Sequence, residues 1–415
     1  VVRPQTPMGV DRRQPRWRRA GAVVTSMCAI AATTVVAGPA QAAGPGGPCA
    51  LPRSQAHHSE GLDSWNPAYP RPLGHLDAVM IFLSFPGSRP RTTPAQLAAD
   101  HFPGTSRFFD RASYGRFSLH PHPVKRWLRM PRSAGSYRIQ RDWDGDRRAA
   151  YLRDAIAAAD RVVDFSRYDL VYLVADPDAP GVDSDATKVV NLDRPVRVDG
   201  TVLRRIVTVF EHHPPDRNVL AHETGHVLDL PDLYHRPTDG KGDWDTHVGD
   251  WDLMGSQFGL ASDPFGWHKW KLGWLTSRHV RCVRSSGSSL HALHALEAPM
   301  RPGVDSRARM IVVRTGETSA IVIEARGASG NDTTTCSEGV LVYRVLSDTA
   351  SGGGPVQVLD AHPDSQACWG ESVYPPLADA PLRAGESLST GPDGVRVEVR
   401  ARTADGAWTV AVERE

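Results

Sequence analysis

The stretch His222-Glu223-Thr224-Gly225-His226 restricts this chain more than any other. Residues four apart lie one turn apart on the same side of an α-helix, so both imidazoles can reach one zinc ion. Glu223 stands beside them, placed to work on water rather than to ligate. Leu220, Thr224, Val227 and Leu228 form a stripe on the other side. The helix can therefore rest on a core while its histidines face a cavity. Asp216, after Pro214-Pro215, is the expected N-cap. Pro231 helps to stop the helix, and Asp232 follows ten residues after the first histidine. That is where HExxHxxGxxH proteins place a third ligand, and a carboxylate oxygen is an acceptable one. The expectation is Zn2+ on His222, His226 and Asp232, with a fourth position open and Glu223 as general base. HExxH alone also fits an ordinary helix with two surface histidines. The context argues against this: a β-rich run precedes the helix and Asp232 sits at ligand spacing. Downstream, Gly249-Asp250-Trp251-Asp252-Leu253-Met254-Gly255-Ser256 has the form of a methionine turn, with Met254 packed beneath the metal.

The rest of the chain supplies a setting for that helix. Residues 78–83 form a short apolar run closed by Pro86-Gly87, expected as a buried strand. Residues 94–109 have helical character, 116–119 a strand pattern, and Leu152, Ile156, Ala159 and Val163 recur at helical spacing. Two further apolar runs, 170–174 and 205–210, read as central strands. This succession indicates an α/β or α+β layer over 73–277. From 278 to 415 the texture changes to short β-rich runs at 310–313, 320–325, 340–345, 356–359, 395–399 and 408–412, split by turn residues. That pattern predicts a β-sandwich or barrel domain.

The N-terminus reads as a processing segment. Arg12, Arg13, Arg16, Arg18 and Arg19 precede an uncharged run over 21–38, and Ala40-Gln41-Ala42 offers a cleavage site before Ala43. Residues 1–42 are thus expected to be a signal peptide, not a stable membrane anchor, and the product to be secreted. Residues 43–72, rich in Pro, Gly, Ser and His, are expected to be a flexible leader or short propeptide. Four cysteines then remain, Cys49, Cys282, Cys336 and Cys368. An even number in an exported chain predicts two disulfides, with three connectivities open. A rarer alternative has Cys49 capping the zinc in a latent form. The formal charge of +1 and the lack of a long basic block exclude nucleic acid as an expected partner.

The block 222–234, the turn 249–255 and the segment 267–274 resemble the immune inhibitor A family of bacterial metallopeptidases, within the metzincin group. Residues 78–85, Ser113-Tyr114-Gly115-Arg116-Phe117, Ile323-Glu324 and the run 338–343 extend the resemblance more weakly to about 75–345. The resemblance implies a secreted zinc endopeptidase acting on protein or peptide substrates, with a twisted sheet and a cleft above the zinc. One departure bears on the site. Asp229 stands where the family pattern has Gly, at a position that favours a left-handed turn; Asp tolerates that conformation. The position of Asp232 depends on that turn, and Asp229 itself becomes a minor candidate ligand.

Weaker signals have plainer readings. Asp142-Trp143-Asp144-Gly145-Asp146 resembles the start of a calcium loop but lacks the Glu at the twelfth position, so Ca2+ is the lesser reading and a polar loop leading into a helix the main one. Asp243, Asp245, Asp250 and Asp252 are expected to be loop residues, with calcium or substrate contacts as the lesser reading. His57-His58 are expected to be solvated, and His212-His213 to be structural or to line the cleft. Asp263-Pro264 and Gly273 should bracket a helix whose Trp267 and Trp270 pack in the core. Two other functions compete with the endopeptidase: an inactive zincin-fold binding or adhesion protein, and a zinc amidase on cell-wall peptide. Glu223 favours turnover, since an inactive relative would be free to lose it.

Overall fold

Alternating apolar residues place strands in two settings here, and the difference organises the whole chain. The computed structural model describes residues 47–237, 241–301 and 303–415. The expected signal peptide and its cleavage site lie outside the described residues. In chain order, a first sheet contains β1 (Gly74–Ser84), β2 (Phe117–Pro123), β3 (Leu128–Arg129), β4 (Leu170–Ala175), β5 (Lys188–Val198) and β6 (Thr201–Val209). Its order is β2-β1-β4-β6-β5, with β3 also on β1. All pairs are parallel except β5, which runs antiparallel to β6 along one edge. Parallel strands are covered on both faces, so their sequences read as unbroken apolar runs rather than alternations. Val79, Ile81, Leu83, Val171 and Leu173 accordingly face a core shared with Tyr151, Leu152 and Ile156. Ala78, Met80, Phe82, Tyr172 and Val174 face the other way, toward a second core.

Six α-helices among the described residues complete this part: α1 (Pro94–His101), α2 (Gly104–Ala112), α3 (Ala134–Tyr137), α4 (Gly145–Ala159), α5 (Val219–Val227) and α6 (Gly266–Lys271). The single helix expected over 94–109 is broken in two at Phe102-Pro103. Proline lacks the N–H that the helix needs and pushes the residue before it into an extended conformation, and Phe102 has φ −119° and ψ 142°. Asp144 caps α4, its side chain accepting from the Arg147 N–H, in line with the loop reading of that segment. Asp263 does not cap α6, which begins at Gly266; its carboxylate pairs instead with Lys269. Gly273 follows that helix at φ +80°, and Trp267 and Trp270 are buried.

The C-terminal half holds two more sheets. One is β12 (Val356–Leu359), β11 (Gly339–Leu346), β10 (Ser319–Arg326), β9 (Met310–Arg314) and β7 (Val280–Val283); the other is β13 (Ser387–Ser389), β14 (Val395–Arg402), β15 (Trp408–Arg414) and β8 (Gly287–Leu293). Ile311, Val313, Ile321 and Ile323 meet Val397, Val399, Val410 and Val412 between them, a sandwich-like core. Met310, Val312 and Tyr343 turn the other way and join Val227, Leu228 and Met254 in one hydrophobic cluster. That cluster crosses the boundary expected at 277/278, so the two halves share a core. The described chain is a mixed α+β protein.

Residues 47–72 are not the flexible leader expected of their composition. Cys49, Leu51 and Leu62 are buried in the shared core, and Glu60 is fully buried. Cys49 is bonded to Cys282 and Cys336 to Cys368, which selects one of the three connectivities and removes Cys49 as a cap on a metal. Polar, Pro-rich composition misleads here because covalent and ionic anchors, not periodic apolar contacts, hold the segment down. Among the described residues no helix is long and apolar enough to cross a membrane.

Candidate metal centre

The helix α5 is short, and its start differs from expectation. Asn218, in a left-handed conformation (φ 59°), precedes Val219, and Asp216 gives no side-chain cap. The apolar side of α5 lies on the shared core through Leu220, Ala221 and Val227. Thr224 bonds both back to the Leu220 carbonyl (2.6 Å) and across to the Tyr172 hydroxyl (2.9 Å). Gly225 has no side chain because Met254 lies against it: a Cβ there would sit 2.5 Å from the Met254 sulfur. The turn carrying Met254 is shaped by Asp252, whose carboxylate accepts from the Met254 N–H (2.7 Å). Met254 then accepts the Leu233 N–H through its carbonyl (2.9 Å). The turn beneath the helix and the segment holding Asp232 are thereby tied together.

His222 and His226 are oriented by backbone carbonyls. Nδ1 of His222 lies 2.9 Å from the Leu253 oxygen and Nδ1 of His226 lies 2.8 Å from the Leu230 oxygen. A carbonyl oxygen only accepts, so each Nδ1 carries a proton and Nε2 is the nitrogen that each ring turns toward the cleft. Both Nε2 atoms face the Asp232 carboxylate, with its Oδ1 at 3.5 Å from His222 and 3.0 Å from His226. Oδ1 is buried without a hydrogen-bond partner. Three candidate ligand atoms thus converge, all within 4.8 Å of one another. Such a cluster could hold a metal ion, and two imidazoles with one carboxylate are a donor set that suits zinc.

Asp232 is held from a direction that the sequence does not announce. Its Oδ2 accepts from the Ser351 hydroxyl (3.1 Å), and its carbonyl from the Gly352 N–H (2.9 Å), both in the loop between β11 and β12. Glu223 is buried beside the histidines, and its Oε2 accepts from the Val189 N–H (2.7 Å) on the edge strand β5. Burial pushes the Glu223 carboxyl above its ordinary pKa, against the pull of His226 and His222. The cleft over these residues has a volume of about 900 Å³ and is lined from β5 by Lys188, Val189 and Asn191.

Asp229 does take the left-handed conformation, at φ +69°. It is not a ligand. Its carboxylate turns away from the histidines and accepts from the Arg53 guanidinium (2.8 Å) and from Nδ1–H of His58 (3.1 Å). His58, expected in solvent, is buried there, while His57 is exposed in the cleft. His213 pairs with Asp100 (2.6 Å) and neither it nor His212 lines the cleft. Asp250 accepts from the Leu260 N–H (3.1 Å) and the Ser372 hydroxyl, a loop-bracing role.

No protein-family model matches the chain, and no curated protein matches it.

Proposed function

We propose that this chain is an exported zinc-dependent endopeptidase of zincin type, related to the immune inhibitor A family. The observation that carries the reading is the convergence of His222 Nε2, His226 Nε2 and Asp232 Oδ1, with Glu223 buried alongside. These residues fit zinc and would hold it by three protein ligands, as a catalytic rather than a structural site does. When bound, zinc supplies Lewis acidity at a peptide carbonyl and makes water a stronger acid. Glu223 takes the proton of the attacking water and returns it to the leaving amine, and its raised pKa suits both directions of that transfer. The Val189 N–H holds Oε2, so the other carboxylate oxygen is the one directed to the proton. Strand β5 has a free edge along the cleft, a template on which an extended peptide can pair. The two disulfides support export, since such bonds persist in oxidising surroundings.

Casein cleavage by the purified chain should be abolished by a chelator and restored by zinc. Glu223→Gln should keep the zinc and lose roughly 10²–10⁴-fold in kcat. A zinc-loaded protein that cleaves neither casein nor a panel of peptides would sink the endopeptidase reading and favour a binding role.

A further inference from the structure

The segment ahead of β1 has more anchors than a linker needs. Cys49 is bonded to Cys282. Ser54 donates to the Ser347 carbonyl (2.7 Å), as does Ser59. Glu60 is buried against His268 (2.7 Å), whose Nδ1 meets Asp252 (2.9 Å), the residue that shapes the turn under α5. Between these anchors, Arg53 and His58 grip Asp229 from two sides. The Asp229 carboxylate is thus consumed by this segment, at a turn where glycine would suffice for the backbone.

Those anchors fix one side chain that they do not use. His57 lies between the Arg53 and His58 contacts, and its carbonyl accepts the Ser351 N–H (3.2 Å) from the loop that also holds Asp232. Its imidazole packs edge-on against His58 (centroids 4.1 Å apart), and the His58 ring in turn lies 5.7 Å from that of His226. The ring of His57 makes no hydrogen bond among the described residues and is exposed in the same cleft as Glu223 and Asp232. We propose that residues 49–62 are a permanent wall of the cleft, clamped by Asp229, and that His57 is a residue of that wall that contacts the bound peptide. An imidazole can donate to a substrate carbonyl or accept from its N–H, and a peptide offers both. The proposal rests on the cleft being the peptidase site, and it assigns to the N-terminal segment a role that a removable propeptide could not have.

The test uses the zinc-loaded chain with two readouts: affinity for a peptide hydroxamate, and kcat/KM on a peptide. His57→Ala should weaken both by about tenfold, the loss of one hydrogen bond to the ligand, with zinc content unchanged. His57→Gln, which keeps a donor and an acceptor, should recover part of the loss. Asp229→Gly keeps the left-handed turn and removes only the clamp. It should speed hydrogen exchange over residues 53–60 and reproduce the His57→Ala loss. Affinity and kcat/KM within twofold of the parent in His57→Ala would overturn the proposal, as would unchanged exchange in Asp229→Gly. A parent that binds the hydroxamate but cleaves no peptide overturns the peptidase reading alone, because the His57 comparison is then decided on affinity.

Discussion

Two of the regions that bury charged groups in this molecule do so in opposite ways. Around Arg326, donors meet acceptors. The guanidinium pairs with Glu297 (2.7 Å), Glu324 (3.1 Å) and Asp332, and donates to the Trp251 and Asp263 carbonyls (3.1 and 3.0 Å). Burial keeps the Glu297 carboxyl well above its ordinary pKa, which relieves the excess of acid in that cluster. At the foot of the cleft, two imidazole Nε2 atoms close on one carboxylate oxygen, and no Arg or Lys pairs with that oxygen among the described residues. The first arrangement carries its own cation and joins the two halves of the fold. The second is the one for which we propose a bound cation. Burial of charge therefore does not by itself mark a functional site; a cluster of ligand atoms that lacks a counter-ion is the better candidate.

The comparison is broken most severely at Arg326. Arg326→Met leaves Glu297, Glu324 and Asp332 buried without their cation and should cost about 3–5 kcal/mol. A thermal melt should show a large fall in Tm, and retention of the parent Tm would mean that the cluster is not the structural partner described.

His268 probes the same idea through pH. Burial opposes its charge, but Glu60 and Asp252 outweigh burial and raise its pKa to about 10, with Lys271 also facing Glu60. The folded pKa is raised, so the stabilisation is fully present below the unfolded value of about 6.5 and is lost as pH climbs toward 10. In that window the native state holds a proton that the unfolded chain has released, which costs stability at about 1.4 kcal/mol per pH unit. Denaturant unfolding at pH 7 and pH 9 should differ by about 2–3 kcal/mol from this group, and His268→Gln should flatten the slope. A slope unchanged in the variant would assign the pH dependence elsewhere.

The smallest effect is expected at Ser351, and it sharpens the contrast because both bonds of its hydroxyl, to Asp232 Oδ2 and from the Asp232 N–H (2.8 Å), serve the proposed ligand. Ser351→Ala removes the hydroxyl on Asp232 Oδ2, and loss of such a supporting partner lowers metal affinity by about 10–100-fold. Competition with a chromogenic chelator should show that loss, while the Tm of the metal-free protein stays within about 2 °C. An equal affinity would remove Ser351 from the site.

Much of the site is local in origin, and that is why it can be read from the chain. His222, Glu223 and His226 are related by helical period, and Asp232 by a short turn whose left-handed residue is one of the few types that tolerate it. Met254 is recognisable by its turn, and Gly225 explains its close approach. The central strands β1, β4 and β6 are legible as apolar runs because a parallel sheet is covered on both faces. The edge strand β5 is not. Asn191, Asp193, Arg194 and Arg197 interrupt any alternation, yet it is β5 that supplies the Val189 N–H to Glu223.

The limits of reading lie wherever partners are distant along the chain. Asp229 and Arg53 are 176 positions apart, Asp232 and Ser351 are 119 apart, and Cys49 and Cys282 are 233 apart. No periodicity relates such pairs, and a polar segment such as 47–72 gives no hydrophobic signal that it will pack. The amino-acid order settles the helix, its candidate ligands and the turn under them, because those follow from spacing along one or two turns of backbone. Closure of the whole fold settles the ring orientations, the support behind Asp232 and the placement of the segment that carries His57, because each depends on groups that meet only after the sheets have packed.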